Sequence, residues 1–560
     1  VADHPTLLHA LAWHAERPSA EVGYRWLDAA ERPTFLDAAQ TLDRALRAAA
    51  AYAARGARPG DVVALMLPTG PAFLDAWLGA QLAGLTPVAL YPPVRLGRLD
   101  EFFDRTAAAL ITTGAVALVS EPRIRRLLGQ LVARYQPPRG LIDVADLLDP
   151  APAPLRLPDP SDVQMIQLSS GTTGTPKPVV LTHGQTLANA AVISDVVRAA
   201  APADAPPAGV SWLPLYHDMG LIGCVFPPLL VPGTITLIAP EVFLTRPAVW
   251  LRALSTYQAT ISPAPDFAYA LCVERVKDEE LTGCDLSRWR LALDGAEPVS
   301  PRVAAAFTDR FAKFGLRPEA LTPVYGLAEM ALAVTFSDWR TPLRTHTVDG
   351  VDLVSVGTPL PGYGVRVVGP DGAPLPADVP GRLHVRGPSR MVGWLGREDT
   401  PFVGEWLDTG DLGLLHDGEL YITGRAKDVL IVRGRNHAPH ELERAVDAVP
   451  GVRTGCAAAV ADLSDGERIL LFVEVRERTS DQAQACLDAV RGATGVEVAL
   501  VVLLDPGTLP RTSSGKIRRS ATLTAWRAGT LTPPDHVGPA LLAGAFAASA
   551  WGFLKARWGR

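Results

Sequence analysis

Short apolar runs alternate with stretches of helical period through the first part of the chain. Residues 62–67 form an apolar run, 71–83 carry helical spacing, and 87–90 are strand-like again. Residues 99–110 read as an amphipathic helix before the run 115–119, and 123–135 repeat the helical period. This alternation predicts α/β layers around largely parallel sheets. A proline-rich stretch, 150–160, separates this region from the apolar run 163–168.

From about Gly362 the pattern changes. Strand-like segments at 365–368, 382–385 and 419–422 are joined by turns at Asp371-Gly372 and Asp417-Gly418. They predict a small antiparallel sheet or barrel. After Gly424 a helix (441–449), a strand (470–475), a helix (481–491) and a strand (498–504) predict a small α+β unit. The expected organisation is a large N-terminal domain over 1–424, a small mobile C-terminal domain over 425–530, and a tail, 531–560, that Pro533-Pro534 sets off.

Composition narrows the classes. The 560 residues are 48% hydrophobic and 20% charged, which suits a folded multidomain protein and excludes general disorder. Lys+Arg 53 against Asp+Glu 59 gives a net charge of −6, so no basic field exists to hold nucleic acid. The five cysteines have no paired spacing, which argues against a disulfide framework or structural zinc and fits a reducing, cytoplasmic setting. The N-terminal residues do not read as a signal peptide, and the apolar stretch 540–554 is too short to span a bilayer.

Lysine is rare: only six of the 53 basic residues. One of them closes the strongest motif, Ser169-Ser170-Gly171-Thr172-Thr173-Gly174-Thr175-Pro176-Lys177, directly after the run 163–168. Glycines let backbone N–H groups approach anionic oxygens, hydroxyls add donors, and Lys177 adds charge, which together make a polyphosphate cradle. Pro178 after Lys177 rules out the P-loop pattern. Further stretches carry related chemistry. They are Tyr325-Gly326-Leu327-Ala328-Glu329, Asp408-Thr409-Gly410-Asp411, Gly424-Arg425-Ala426-Lys427-Asp428, and a late loop, Thr512-Ser513-Ser514-Gly515-Lys516. Any one alone reads as a surface turn.

In this order the motifs resemble the adenylate-forming superfamily of acyl-CoA synthetases, peptide-synthetase adenylation domains and luciferases, over nearly the whole chain. Tyr91-Pro92-Pro93, Leu215-Tyr216-His217-Asp218-Met219-Gly220, Pro265-Asp266-Phe267-Ala268-Tyr269, Asp294-Gly295-Ala296-Glu297-Pro298 and Gly434-Arg435-Asn436-His437 are most similar to fatty acyl-AMP ligases. The resemblance implies ATP-dependent formation of acyl-AMP from a fatty acid, with Mg²⁺ and with release of pyrophosphate. It implies transfer of the acyl group to the phosphopantetheine thiol of an acyl carrier protein, or alternatively to free CoA.

The resemblance also implies roles. Ser170, Gly171, Thr172, Thr173, Gly174 and Lys177 would bind the ATP phosphates, and Glu329 would hold Mg²⁺. Tyr325 with Gly326 would stack on adenine, which Gly295, Ala296 and Glu297 would flank. Asp411 and Arg425 would bind the ribose, and Lys516 would reach the α-phosphate and the substrate carboxylate. His217 would gate the acyl pocket lined by Met219, Gly220, Ile222, Phe267 and Tyr269, and Lys427 would be the hinge. A carboxylate is already ionised at neutral pH and needs no base, so His217 is not expected to carry a proton.

Two features depart from the fatty acyl-AMP ligase pattern. The stretch 332–356 is short where such ligases commonly carry an insertion, which bears on the choice between carrier protein and CoA. Asp294 stands where Asn is more usual. A non-catalytic nucleotide binder is disfavoured by the presence of Glu329, Asp411, Arg425 and Lys516 together, because ground-state binding does not need Lys516.

Overall fold

The computed structural model describes residues 4–19, 21–93, 98–169, 177–203, 205–348, 350–432, 435–462, 468–512, 516–534 and 539–558. Two large sheets dominate. One has seven strands in the order Gly393–Trp394, Pro178–Thr182, Val163–Leu168, Thr86–Leu90, Val62–Met66, Ala117–Ser120, Leu141–Asp143. Its last five strands pair in parallel, because helices such as Pro71–Leu82 and Leu99–Thr113 return the chain to the same edge. Val62–Met66 and Thr86–Leu90 are covered on both faces, which explains their unbroken apolar runs.

The other large sheet has nine strands and is parallel through Leu321–Gly326, Leu291–Asp294, Ile261–Ala264, Ala208–Ser211, Thr234–Ile238 and Gly23–Leu27. Behind it Trp250, Trp289, Tyr269 and Phe307 interlock edge to face with centroids 4.9–6.0 Å apart. A five-stranded antiparallel sheet follows, built on Gly381–Arg386, Trp406–His416 and Glu419–Arg425.

Beyond Arg425 lies an α+β unit with its own apolar core around Leu442, Val446, Leu471, Val473 and Val490. Its sheet joins Val452–Asp462, Arg468–Val475 and Leu500–Leu504. The 11-residue strand Val452–Asp462 is absent from the sequence reading. Its run Ala457-Ala458-Ala459 lacks the branched side chains that mark strands.

The expected helix over 123–135 is two short helices, Pro122–Arg125 and Gly129–Arg134. The tail forms a helix, Pro539–Trp558, that crosses the second of these. The Gly129 N–H donates to Ser549 Oγ at 2.8 Å. Among the described residues, no helix is long and apolar enough to cross a membrane.

Candidate active site

A cleft of about 1400 Å³ runs between the ends of the parallel strands, the antiparallel sheet and the α+β unit. That volume exceeds an ordinary small-molecule pocket and can hold a nucleotide together with a second group. Three of the six lysines, Lys177, Lys427 and Lys516, line it. So do Asp218, Glu297, Glu329 and Asp411, which face them with opposite charge.

Strand ends position these groups. Tyr325 closes the strand Leu321–Gly326, and its hydroxyl donates to Asp411 Oδ2 at 2.7 Å. Arg425 Nε donates to Oδ1 of the same carboxylate at 2.9 Å. Asp411 and Arg425 pair across the antiparallel ladder, so the ion pair is set by strand register. Gly326 packs against the Leu332 backbone with no room for a side chain. Ala296 is held at φ 70°, in the left-handed region that favours glycine, and such strain clusters at functional sites.

Ser169 and Lys177 pin the two ends of the Ser/Thr/Gly loop: the Ser169 N–H donates to the Lys177 carbonyl at 2.9 Å. Ser170, Gly171, Thr172, Thr173 and Gly174 themselves lie outside the described residues, as does Gly434. Lys177 Nζ stands 3.5 Å from the ring centroid of Trp394, a cation–π contact that the sequence reading missed. Burial pulls the Lys177 ammonium below its usual range, and Arg397 adds to this while Glu329 opposes it. Burial pushes the Glu329 carboxyl up, against the pull of Arg425 and Lys177.

Lys516 enters the cleft from the α+β unit. The Thr512 N–H donates to the Lys516 carbonyl at 2.7 Å and the Lys516 N–H donates to Thr512 Oγ1 at 3.0 Å. Burial lowers the lysine's proton affinity and Arg425 lowers it further, while Asp218, Glu297 and Asp411 oppose both. Asp218 sits 2.6 Å from His217 Nδ1 and accepts the Met219 N–H at 2.8 Å. Burial raises its carboxyl, but His217, the Met219 N–H and Lys516 outweigh that and hold it below the usual range. Glu297 Oε1 accepts the Phe267 N–H at 2.7 Å.

The α+β unit docks through cations. Arg444 donates to the Pro298 carbonyl at 2.6 Å, and Arg476 pairs with Glu274 at 2.9 Å. Arg98 donates to the carbonyls of Thr508 at 3.1 Å and Thr532 at 2.7 Å.

Of the residues singled out from the sequence, His217, Met219, Phe267, Ala296, Glu297, Tyr325, Gly326, Glu329, Asp411, Arg425 and Lys516 border the cleft, and so does Lys427, expected there as a hinge. Four expected residues do not line it. Tyr269 is fully buried in the aromatic core, where its hydroxyl donates to the Leu293 carbonyl, and Ile222 is fully buried as well. Gly220 packs on the Pro214 backbone, and Gly295 packs on Val324. The helical period of 266–275 explains Tyr269: two residues after the cleft-lining Phe267 and three before the buried Cys272, it lies on the face turned to the core.

Sequence reasoning missed Asp218, Asp266 and Trp394 as site residues. Asp266 lies against Asp294 at the cleft edge. Adjacency to His217 is the one signal that would have found Asp218.

The family model described as AMP-binding enzyme matches residues 12–395. The long-chain-fatty-acid–AMP ligase FadD26 of Mycobacterium marinum is 34% identical, over 84% of this chain and 88% of its own length. The medium-chain-fatty-acid–[acyl-carrier-protein] ligase JamA of Moorena producens is 31% identical, over 94% of this chain and 96% of its own. A Caulobacter vibrioides protein assigned provisionally as an acyl-CoA synthetase is 34% identical over 94% and 96%. A solved structure from a study of fatty acyl-adenylate ligases of E. coli and L. pneumophila superposes with a TM-score of 0.87 at 32% identity, covering 95% of this chain and 99% of that one. The match over most of the chain agrees with a cleft that brings Lys177, the carboxylate-held Tyr325 and Lys516 together: the chain belongs to the AMP-binding enzyme family.

Proposed function

We propose that the protein activates a fatty acid with ATP and passes the acyl group to the phosphopantetheine thiol of an acyl carrier protein. The fatty-acid carboxylate oxygen bonds to the α-phosphorus, and the bond to the β-phosphate oxygen breaks, so pyrophosphate leaves and acyl-AMP remains. The thiol sulfur then attacks the acyl carbonyl, its proton is lost, and AMP departs.

The observation that carries the first step is the position of Lys516, which crosses from the α+β unit into the cleft beside Asp218 and Glu297. A half-buried ammonium there meets charge gathering on the phosphoryl oxygens, where preorganised donors count most. Tyr325 offers an aromatic face for adenine, and Asp411 with Arg425 offers acceptors and donors for ribose hydroxyls. Lys177 and the loop before it hold the β- and γ-phosphates.

Glu329 fits a divalent cation. It is a hard oxygen donor in the cleft wall, its charge is penalised by burial, and a cation would relieve that penalty. Mg²⁺ bound there would neutralise phosphate charge. His217 stays bound to Asp218 and orients the entrance to the acyl pocket, holding no proton for the reaction.

The second step needs Lys516 to leave. The α+β unit, residues 425–530, is the moving part, and Lys427 lies where the chain leaves the antiparallel sheet. The name of the relative JamA, a medium-chain-fatty-acid–[acyl-carrier-protein] ligase, supports the carrier as acceptor. The short segment 332–356, which forms a hairpin at Thr345–Val348 and Val351–Val354, favours free CoA as the second reading. The test supplies fatty acid, ATP and Mg²⁺ with either CoA or a holo carrier protein, and follows thioester by mass spectrometry. Efficient acyl-CoA formation, with no preference for the carrier, overturns the proposed acceptor.

A further inference from the structure

Away from the cleft, three separate elements bring His346, Asp378 and His416 together, with one donor atom of each within 4.8 Å of the others. His346 lies on the hairpin strand Thr345–Val348, His416 ends the strand Trp406–His416, and Asp378 stands in the loop between sheet strands. His416 Nδ1 is 2.6 Å and His346 Nε2 is 3.4 Å from the same oxygen, Asp378 Oδ1. The two imidazoles stack with centroids 3.8 Å apart and planes at 15°, and each turns one nitrogen to that oxygen.

We propose that His346, Asp378 and His416 form a site for one Zn²⁺ ion that staples the Thr345–Val348/Val351–Val354 hairpin to the antiparallel sheet.

The donor set suits zinc: two imidazoles with one carboxylate are a zinc donor set. Tetrahedral ligation with bonds of about 2.1 Å puts neighbouring donors about 3.4 Å apart, so binding turns the His416 ring out of its stack and out of its 2.6 Å contact with Asp378. Magnesium and calcium prefer all-oxygen shells, so the imidazoles select against them. The loop is already fixed: the Asp378 N–H donates to the Leu415 carbonyl at 2.9 Å. The outer nitrogen of His416, Nε2, faces the exposed Asp417 carboxylate at 3.6 Å, a charge contact and not a hydrogen bond. Asp378 is exposed, so the fourth position opens to water.

The staple has something to hold. The hairpin packs on the sheet through a cluster with only Leu353, Leu414 and Tyr421 at its buried centre. Val351 and Asp352 border the cleft. Zinc at one end of the hairpin would fix one wall of that cleft.

The test uses the full chain freed of metal by chelation, saturated with ATP and Mg²⁺ so that the cleft carboxylates are occupied. Co²⁺ titration is followed by the visible absorption of tetrahedral cobalt, and Zn²⁺ then displaces it. The expected result is one tetrahedral Co²⁺ per chain, displaced by one Zn²⁺, with affinity reduced about 100-fold in H346A and in H416A. D417N removes only an exposed charge contact and should weaken binding far less than either histidine variant. Circular dichroism establishes that each variant is folded. Cobalt bound equally by wild type and by the folded H346A/H416A double variant, or no tetrahedral spectrum in wild type, overturns the site.

Discussion

The Tyr325 hydroxyl is bound to Asp411 Oδ2 at 2.7 Å, although the two residues come from different sheets. Arg425 holds the other carboxylate oxygen, so the tyrosine ring is fixed against the antiparallel strands before any nucleotide arrives. Tyr325→Phe removes the tether and keeps the aromatic face. The expected outcome is a KM for ATP raised about 10-fold with a smaller change in kcat, because a charge-assisted hydrogen bond orients a group that binds ground state and transition state alike. An unchanged KM would show that the ring does not meet the nucleotide.

Lys516 is expected to act in the transition state. Lys516→Ala should lower adenylate formation on the order of 10²–10³-fold, comparable to the loss of an oxyanion donor, and leave ATP affinity within a few-fold. Pyrophosphate exchange measured beside an ATP titration checks this. Near wild-type exchange would remove Lys516 from the chemistry.

Lys427→Pro should separate the two steps. Proline fixes φ where the chain leaves the antiparallel sheet, and so restricts the swing of the α+β unit. Adenylation in the docked pose should survive better than thioester formation. Equal loss of both in a folded variant argues against a hinge there.

Asp294 is buried, with the half-buried Asp266 beside it and Glu297 nearby. Burial, reinforced by the neighbouring acids, pushes both carboxyls up, Asp266 to about 7. A carboxyl raised in the folded state holds its proton more tightly than in the unfolded chain, where its pKa is about 3.9. Its contribution to stability is therefore intact below about pH 4 and is lost as pH rises through about 7. Asp294→Asn removes one of the two acids. The Tm gain should be absent at pH 4, grow with pH, and reach about 2–4 °C at pH 8. A gain independent of pH would show that the pair is not the cause.

Much of the cleft was legible because its chemistry sits at strand ends, where glycine, hydroxyl and lysine interrupt apolar runs. Lys177 and Tyr325 are found that way, whereas Asp411, inside the strand Trp406–His416, and Lys516, in a late loop, are marked by the glycines beside them. Residues inside periodic elements were harder to read. Met219 and Ile222 are three apart in one short stretch, yet Met219 borders the cleft and Ile222 faces the core. A π-helical turn at Leu221–Val225 shifts the period there, and no composition signal announces it. Trp394 reaches Lys177 only because the edge strand Gly393–Trp394 pairs with Pro178–Thr182, a contact between segments more than two hundred residues apart. The docking of the α+β unit through Arg98, Arg444 and Arg476 is equally tertiary, since arginines are abundant everywhere in this chain.

The central claim is that the cleft joins a carboxylate to the α-phosphate of ATP. The direct measurement incubates the protein with a fatty acid, ATP and Mg²⁺, without any thiol, and identifies the products by mass spectrometry and phosphate analysis. Acyl-AMP and pyrophosphate, formed only when fatty acid is present, are the predicted result; ADP and inorganic phosphate, or nucleotide turnover indifferent to fatty acid, would contradict it.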